Sequence, residues 1–264
     1  MFNVPPADRY RLAQLFQIHH RWRPMIDSII EGQFGSADSD SIENPEIAQL
    51  TLGLFAFYAG SPKHPLAIDL VRNATRLPFE GRWIEFIDPA WGDLFKDIHG
   101  EKKFKGHLTR FDMASDTLDL GILEKLASAH RDGFKVLRLD ESTVMRAGGE
   151  VDSALIHSFQ SAKDFMARGF GCCAIEESTG RIASAATTYA VAKRGVEIEI
   201  DTHPDFRRKG LAAILGASLI LKTIRRGLDP HWDAISKESE ALAIKLGYRP
   251  LGSYEACWLD PEGY

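Results

Sequence analysis

One segment, Ile200-Asp-Thr-His-Pro-Asp-Phe-Arg-Arg-Lys-Gly-Leu-Ala212, is the most informative part of this chain. It leaves an alternating strand, turns at Pro204 and enters a helix. The first turn of a helix presents backbone N–H groups without intrahelical partners, and it carries about half a unit of positive charge from the helix dipole. A pyrophosphate satisfies both if the backbone can be approached closely. Gly210 and Ala212 are small enough to permit that approach, and Arg207-Arg208-Lys209 adds positive charge.

The second half of the chain alternates short strands and helices around this segment. The turn sequences at 177–180 and 193–195 are typical of hairpins. The order of elements predicts an α/β (α+β) fold, with a mixed, mostly antiparallel sheet flanked by helices and no Rossmann-like repetition. The predicted elements are a strand at 134–139, two short helices within 151–169, strands at 171–177, 181–192 and 196–202, a helix at 211–226, a strand at 231–236, a helix at 238–246 and a last strand at 248–259.

The first half mixes strands and helices but contains no chemical motif. We place the boundary near residue 130, which gives a smaller α+β N-terminal domain (1–130) of unknown role and a second domain (131–264). The predicted features of the first half are a loop at 32–45, one buried strand from Leu50 to a stop at Gly60, helices at 89–99 and 117–131, a helix surface bearing His19 and His20, and core positions for Trp22, Trp83 and Trp91.

The pattern Arg207-x-x-Gly210-x-Ala212 resembles the acetyl-CoA motif of the GCN5-related N-acetyltransferase (GNAT) superfamily. The later segment Ser236-Lys-Glu-Ser-Glu-Ala-Leu-Ala-Ile-Lys-Leu-Gly-Tyr248 is similar to the family's Asn-x-x-Ala-x-x-Leu-Tyr-x-Lys-x-Gly-Phe at Lys245, Gly247 and Tyr248. This resemblance extends from about residue 133 to Tyr264. The first half, on Asn44–Leu50 and Gly53-x-Phe55, more weakly resembles the leading region of a poorly characterised two-domain branch.

The resemblance implies that acetyl-CoA is the cosubstrate. It also implies direct acetyl transfer, in a ternary complex, to an unidentified primary amine that is either a small molecule or a peptide. The cofactor contacts that it implies are Ile200 and Thr202 on the strand, Arg207, Arg208, Lys209, Gly210, Leu211 and Ala212 at the loop and helix, and Ser236 where the family often has asparagine.

The chain departs from the family pattern at the catalytic groups. The tyrosine that often protonates the departing thiolate is replaced by Ala243, and Tyr254 or Cys257 could substitute for it. Glu197 and Glu199 are the candidate general bases, although they lie about one residue out of register with the family's glutamate. Their alternation with isoleucines equally predicts a solvent-facing strand. Ala243 leaves a second function open, a non-catalytic acyl-CoA-binding regulatory module.

Composition excludes several other classes of protein. A net charge of −5 and a single dense basic run argue against a nucleic-acid partner. The longest apolar stretch, 211–221, is shorter than the roughly 20 residues that cross a bilayer. The three cysteines lack disulfide or zinc spacing, so we expect no metal site and a cytoplasmic protein. The aromatic first half could bind the acceptor or form a homodimer, and both roles stay open.

Overall fold

A computed structural model describes residues 1–75 and 81–260, with the backbone alone for 105–108. The chain forms two compact units. Unit 1 contains Met1–Arg110 and the described part of Ser253–Tyr264, and unit 2 contains Phe111–Gly252. The division therefore differs from the one drawn near residue 130, because residues 111–130 belong to unit 2 and the residues from 253 onward belong to unit 1.

Unit 1 is built on a sheet whose strands are mostly antiparallel. β1 to β4 pair in sequence order, β5 joins β4 in parallel, and β13 covers the other edge of β5. The elements are β1 (Phe2–Asn3), a 3-10 helix (Pro6–Leu12), α1 (Arg23–Ile30), β2 (Ser36–Ser39), β3 (Ile47–Leu52), β4 (Phe55–Gly60), α2 (Ala67–Asn73), β5 (Arg82–Phe86), α3 (Ala90–His99), β6 (Phe104–Ala114), which continues into unit 2, and β13 (Arg249–Leu259), which returns from it.

Two predictions for unit 1 are wrong because the pairing of strands is set by tertiary structure. The single strand predicted from Leu50 to Gly60 is a hairpin of β3 and β4, and Gly53 takes a positive φ of 53° in its turn. The predicted loop at 32–45 contains β2, where Ala37 is buried against β3.

The core of unit 1 is aromatic. Tyr58 meets the rings of Trp91 and Phe95 at centroid distances of 5.3 and 5.1 Å. The predicted helix at 89–99 is confirmed as α3, and it buries Trp91. His19 is also buried, which corrects its assignment to a helix surface: its Nε2 lies 2.9 Å from the carbonyl oxygen of Tyr58. Burial lowers the pKa of His19 to about 4, so this imidazole is neutral.

Unit 2 contains a five-stranded sheet in the order β11-β10-β9-β8-β7, in which only β10 and β11 run parallel. A short strand, β12, pairs with the end of β6. The predicted α/β (α+β) class, with mixed and mostly antiparallel sheets, is confirmed. The elements are α4 (Leu120–Ala127), β7 (Phe134–Arg138), α5 (Glu141–Glu150), a 3-10 helix (Ser153–Ile156), α6 (Ala162–Arg168), β8 (Gly171–Glu176), β9 (Ile182–Val191), β10 (Gly195–Thr202), a 3-10 helix (Pro204–Phe206), α7 (Leu211–Ile224), β11 (Asp229–His231), β12 (Asp233–Ala234) and α8 (Lys237–Leu246).

Two local predictions for unit 2 need correction, and one helix is missing from them. The helix predicted at 117–131 is the shorter α4, which buries Leu123 while Ile122 is 51% exposed. Helix α5 was not predicted, although the Asp140 and Thr143 side chains close a capping box at its start. The strand predicted at 231–236 is divided between β11 and β12.

Helix α7 packs against the sheet and positions the segment that precedes it. Leu211, Leu215 and Leu219 are buried along its face. A Cβ at Gly216 would lie 2.9 Å from Leu246 Cδ1 and 3.0 Å from Ile200 Cδ1, so the missing side chain lets β10 and α8 approach the helix closely. The first half of α7 is therefore packed directly against β10 and α8.

Candidate functional site

The two parallel strands of unit 2 separate at a defined point. β11 pairs with β10 from Gly195–Asp229 to Glu197–His231, where the register ends. The pairing of β10 with β9 is irregular between Glu197 and Ile198, directly after this point. β10 continues to Thr202 beside β9, whereas the chain after β11 enters β12, which pairs with β6. The sheet of unit 2 therefore opens between β10 and β11 beyond Glu197.

A buried ion pair marks this opening. Glu197 is 5% exposed, and its Oε2 lies 2.6 Å from His231 Nδ1. Burial by itself lowers the pKa of His231, but the charge and hydrogen bond of Glu197, together with Asp233 and Asp229, raise it to about 9. At neutral pH the imidazole of His231 is therefore protonated.

The two candidate bases differ in their surroundings. The alternation that would expose both glutamates is wrong for Glu197, because its side chain is buried beside His231. Glu199 lies two residues further along β10 and is half-buried. Nothing in the local sequence reveals His231 as the partner of Glu197, because the parallel register brings together residues 34 positions apart.

The loop between β10 and α7 folds as a strand, a turn and a helix, as the motif predicts. His203 caps the Pro204–Phe206 turn and is half-buried. Arg208 and Gly210 take the left-handed conformation, with φ values of 66° and 79°. Gly210 is the N-cap of α7, and no side chain caps this helix end. The first N–H groups of α7 therefore stay available to a ligand.

The charged side chains of the loop are held in place by their neighbours. Arg207 Nε donates to the carbonyl oxygen of Thr202 over 3.2 Å. Lys209 Nζ lies over the rings of Phe134 and Phe206, at 5.3 and 5.6 Å from the ring centres. Arg131, which the sequence did not single out, donates from Nε to the carbonyl oxygen of Lys209 over 3.0 Å.

The remaining predicted residues on β10 and α8 have clear local roles. Thr202 Oγ1 lies 2.8 Å from Ser184 Oγ, which ties β10 to β9. Ser236 is the N-cap of α8 and accepts a hydrogen bond from the N–H of Ser239 over 3.2 Å. Ala243 is fully buried in α8, and Tyr248 donates its hydroxyl to the carbonyl oxygen of Pro230 over 2.7 Å, which fixes β11.

Tyr254 and Cys257, the candidates for the missing acid, both belong to unit 1. The Arg21 guanidinium lies 4.0 Å from the centre of the Tyr254 ring. Burial raises the pKa of the Cys257 thiol to about 11. Neither the ring contact of Tyr254 nor the raised pKa of Cys257 identifies a proton donor.

Within the described ranges 1–75 and 81–260, no three His, Cys, Asp or Glu side chains are grouped so that they could hold a metal ion. The same part of the chain contains no helix that is long and apolar enough to cross a membrane.

Comparisons with known proteins agree with this architecture. A GCN5-related N-acetyltransferase-like protein from Streptococcus suis 89/1591 has a crystal structure that matches with a TM-score of 0.82 and 30% identity, over 95% of this chain and 98% of that one. A GCN5-related N-acetyltransferase from Kribbella flavida shares the fold at 15% identity, with a TM-score of 0.57 over 96% of this chain and 95% of that one.

A curated relative from Bacillus subtilis (strain 168), the uncharacterized N-acetyltransferase YdfB, is 25% identical over 124 residues. These residues make up 46% of this chain and 47% of YdfB, so the match spans about half the length of that relative.

The fold and these matches place the protein among the acyltransferases. A family model described as GNAT acetyltransferase matches residues 13–257, and the chain belongs to that family. The resemblance found in the sequence is confirmed. The match also includes most of the first half, where the sequence alone offered only a weak similarity.

Proposed function

We propose that this protein transfers an acetyl group from acetyl-CoA to a primary amine within a ternary complex. One observation carries the proposal: the strand that separates from its parallel neighbour after Glu197 leads, through Thr202, to the uncapped start of α7 at Gly210. A single run of chain thus offers a gap in the sheet for a thioester arm and N–H groups for a pyrophosphate.

The residues present fit the pyrophosphate of an acyl-CoA. The N–H groups of Arg208 to Ala212 would hold its oxygens, and Arg207 and Lys209 would add charge. Ile200 and Thr202 would bond the pantetheine arm through the backbone of β10, and Ser236 would lie at the opposite strand end. When bound, acetyl-CoA supplies the activated acyl group. The protein's own task is to position that group and to accept the proton of the amine.

Glu197 is favoured over Glu199 as the proton acceptor, because it lies where the strands separate and His231 holds it in place. The amine nitrogen bonds to the thioester carbon, the carbon–sulfur bond breaks, and the nitrogen gives its proton to the Glu197–His231 pair. The pair is a stronger base once His231 has lost the proton that it holds at neutral pH. The rate should therefore rise with pH until about 9, the pKa of His231.

The acceptor is a primary amine carried by a small molecule or a peptide. A net charge of −5 favours a cationic acceptor by long-range attraction. A thiolate whose thiol has a pKa of about 8.5 is a fair leaving group. Water can therefore protonate the departing thiolate, a step for which the side chain of Ala243 has no proton to give.

Ala243 also supports a second candidate, an acyl-CoA-binding regulatory module without turnover. Release of free CoA in the presence of any amine from a panel would exclude this module. Saturable binding without release, across the whole panel, would favour it.

The first experiment is a thermal-shift titration with acetyl-CoA, CoA and dephospho-CoA. It compares the wild type with Gly210→Asp and with a matched control, Gly227→Asp. Gly227 has a φ of 72°, close to the 79° of Gly210, but it follows the other end of α7. We expect saturable stabilisation in the wild type and the control, and its loss in Gly210→Asp. The absence of a shift with any ligand in the wild type would refute the proposal.

A further inference from the structure

Arg131 lies in the turn between α4 and β7, and it reaches a loop that is distant in the sequence. Its Nε donates to the carbonyl oxygen of Lys209 over 3.0 Å, and its Nη1 donates to the carbonyl oxygen of His130 over 2.7 Å. Its own carbonyl oxygen accepts from the N–H of Phe134 over 3.0 Å, which ties the turn to the start of β7. The guanidinium is therefore anchored to the backbone from two sides.

The guanidinium lies directly beside Gly210. A Cβ at this position would be 3.0 Å from Arg131 Nη2 and 3.2 Å from its Nε. Gly210 is favoured as glycine by its positive φ, and its missing side chain leaves room for the guanidinium. A side chain here would push Arg131 away from the start of α7.

Two donors of this guanidinium are used, and the third nitrogen stays available. Over residues 1–75 and 81–260, no group accepts a hydrogen bond from Nη2 of Arg131. Over the same residues no carboxylate forms an ion pair with this guanidinium, and the carboxylate of the neighbouring Asp132 lies 3.2 Å from His130 Nε2 instead. A fixed guanidinium with a free edge next to a helix N-terminus is well suited to a phosphate oxygen.

We propose that Arg131 is a further cofactor-binding residue, whose guanidinium binds the same pyrophosphate as the N–H groups of the loop from Arg208 to Ala212. This inference rests on the proposed acyl-CoA site. It extends that site to a residue 78 positions before Lys209, in a segment that the acetyl-CoA motif does not include. The pyrophosphate is the target, because Arg131 is bound to the carbonyl of the loop that surrounds it.

The test is calorimetric titration of CoA and dephospho-CoA into the wild type, Arg131→Ala, Arg131→Lys and Arg225→Ala. Arg225 is a matched control, because it is an exposed arginine at the other end of α7 that pairs with Glu124. Both ligands contain the pyrophosphate. We therefore expect Arg131→Ala to weaken both by about tenfold or more, since a hydrogen bond to a charged group is lost. Lysine should restore part of the affinity, and Arg225→Ala should bind like the wild type.

The outcomes separate this inference from the proposed function. If the wild type binds both ligands and Arg131→Ala binds them equally well or more tightly, the inference is wrong and the proposed function stands. If only CoA binds more weakly, Arg131 contacts the 3′-phosphate, and the assignment to the pyrophosphate is overturned. If the wild type binds neither ligand, the proposed function itself fails. The melting temperature of each unliganded variant, close to that of the wild type, shows that the fold is retained.

Discussion

Replacing His231 with asparagine should destabilise the protein in a way that depends on pH. The substitution removes the positive charge buried against Glu197 and leaves a carboxylate that is only 5% exposed without its ionic partner. Breaking one half of a buried ion pair is costly, because the other charge has already lost its water. Replacing both partners by amides, as Glu197→Gln and His231→Asn together, should cost much less.

The size of the effect follows from the pKa of His231. Burial lowers it, but Glu197 and the nearby aspartates raise it from 6.5 to about 9. Each unit of pKa corresponds to about 1.4 kcal/mol, so the imidazolium contributes on the order of 3 kcal/mol to the free energy of unfolding. Because the folded-state pKa is the higher one, this contribution is complete below pH 6.5 and is lost as the pH rises through about 9.

Urea unfolding of the wild type and His231→Asn at about pH 6 and about pH 10 would measure this contribution. The difference between the two proteins should be largest at the lower pH and shrink at the higher one. His157→Asn is the matched control, because His157 is exposed and the substitution should have little effect at either pH. An equal penalty for His231→Asn at both pH values would show that the imidazole is not charged in the folded protein, and the reasoning would be refuted.

Two further predictions concern buried small residues and buried thiols. Ala243→Tyr, which restores the family's usual residue, should lower the free energy of unfolding by at least about 2 kcal/mol, because Ala243 is fully buried. Ala241 is exposed on the same helix, so Ala241→Tyr should change the free energy of unfolding by less than about 0.5 kcal/mol. Equal effects of the two substitutions in urea unfolding would contradict this prediction. Burial raises the pKa of Cys172 to about 12 and those of Cys173 and Cys257 to about 11. A thiol reagent at about pH 8 should therefore label these residues only after unfolding, and rapid labelling of the native protein would contradict that expectation.

The backbone of the loop between β10 and α7 could be predicted from the sequence because its signal is local. A strand that ends before Pro204, a glycine at 210 and an apolar helix from Leu211 together specify the backbone almost without tertiary information. The glycine supplies the positive φ that the loop needs. The left-handed Arg208 is the part that residue type does not reveal, because a non-glycine residue rarely takes this conformation.

The Glu197–His231 pair and the position of the Arg131 guanidinium could not be predicted, because each depends on a contact between distant segments. Glu197 alternates with apolar residues, as a solvent-facing residue would, and only the fold shows that it is buried beside His231. His231 becomes its partner through a parallel register, and Arg131 reaches Lys209 from a turn without a motif. Periodicity describes which side of an element is apolar, but not what is placed over its polar side.

The division of the chain also affects how the protein is made. Strand β5 of unit 1 pairs with β13 from Ile84–Cys257 to Arg82–Leu259, and Leu259 is fully buried in the core of that unit. The ribosome synthesises all of Phe111–Gly252 between these two strands. The edge of β5 that β13 covers therefore stays open on the nascent chain while unit 2 emerges and can fold. Unit 1 begins first and is completed last, so chaperone binding during translation should concentrate on its unfinished sheet.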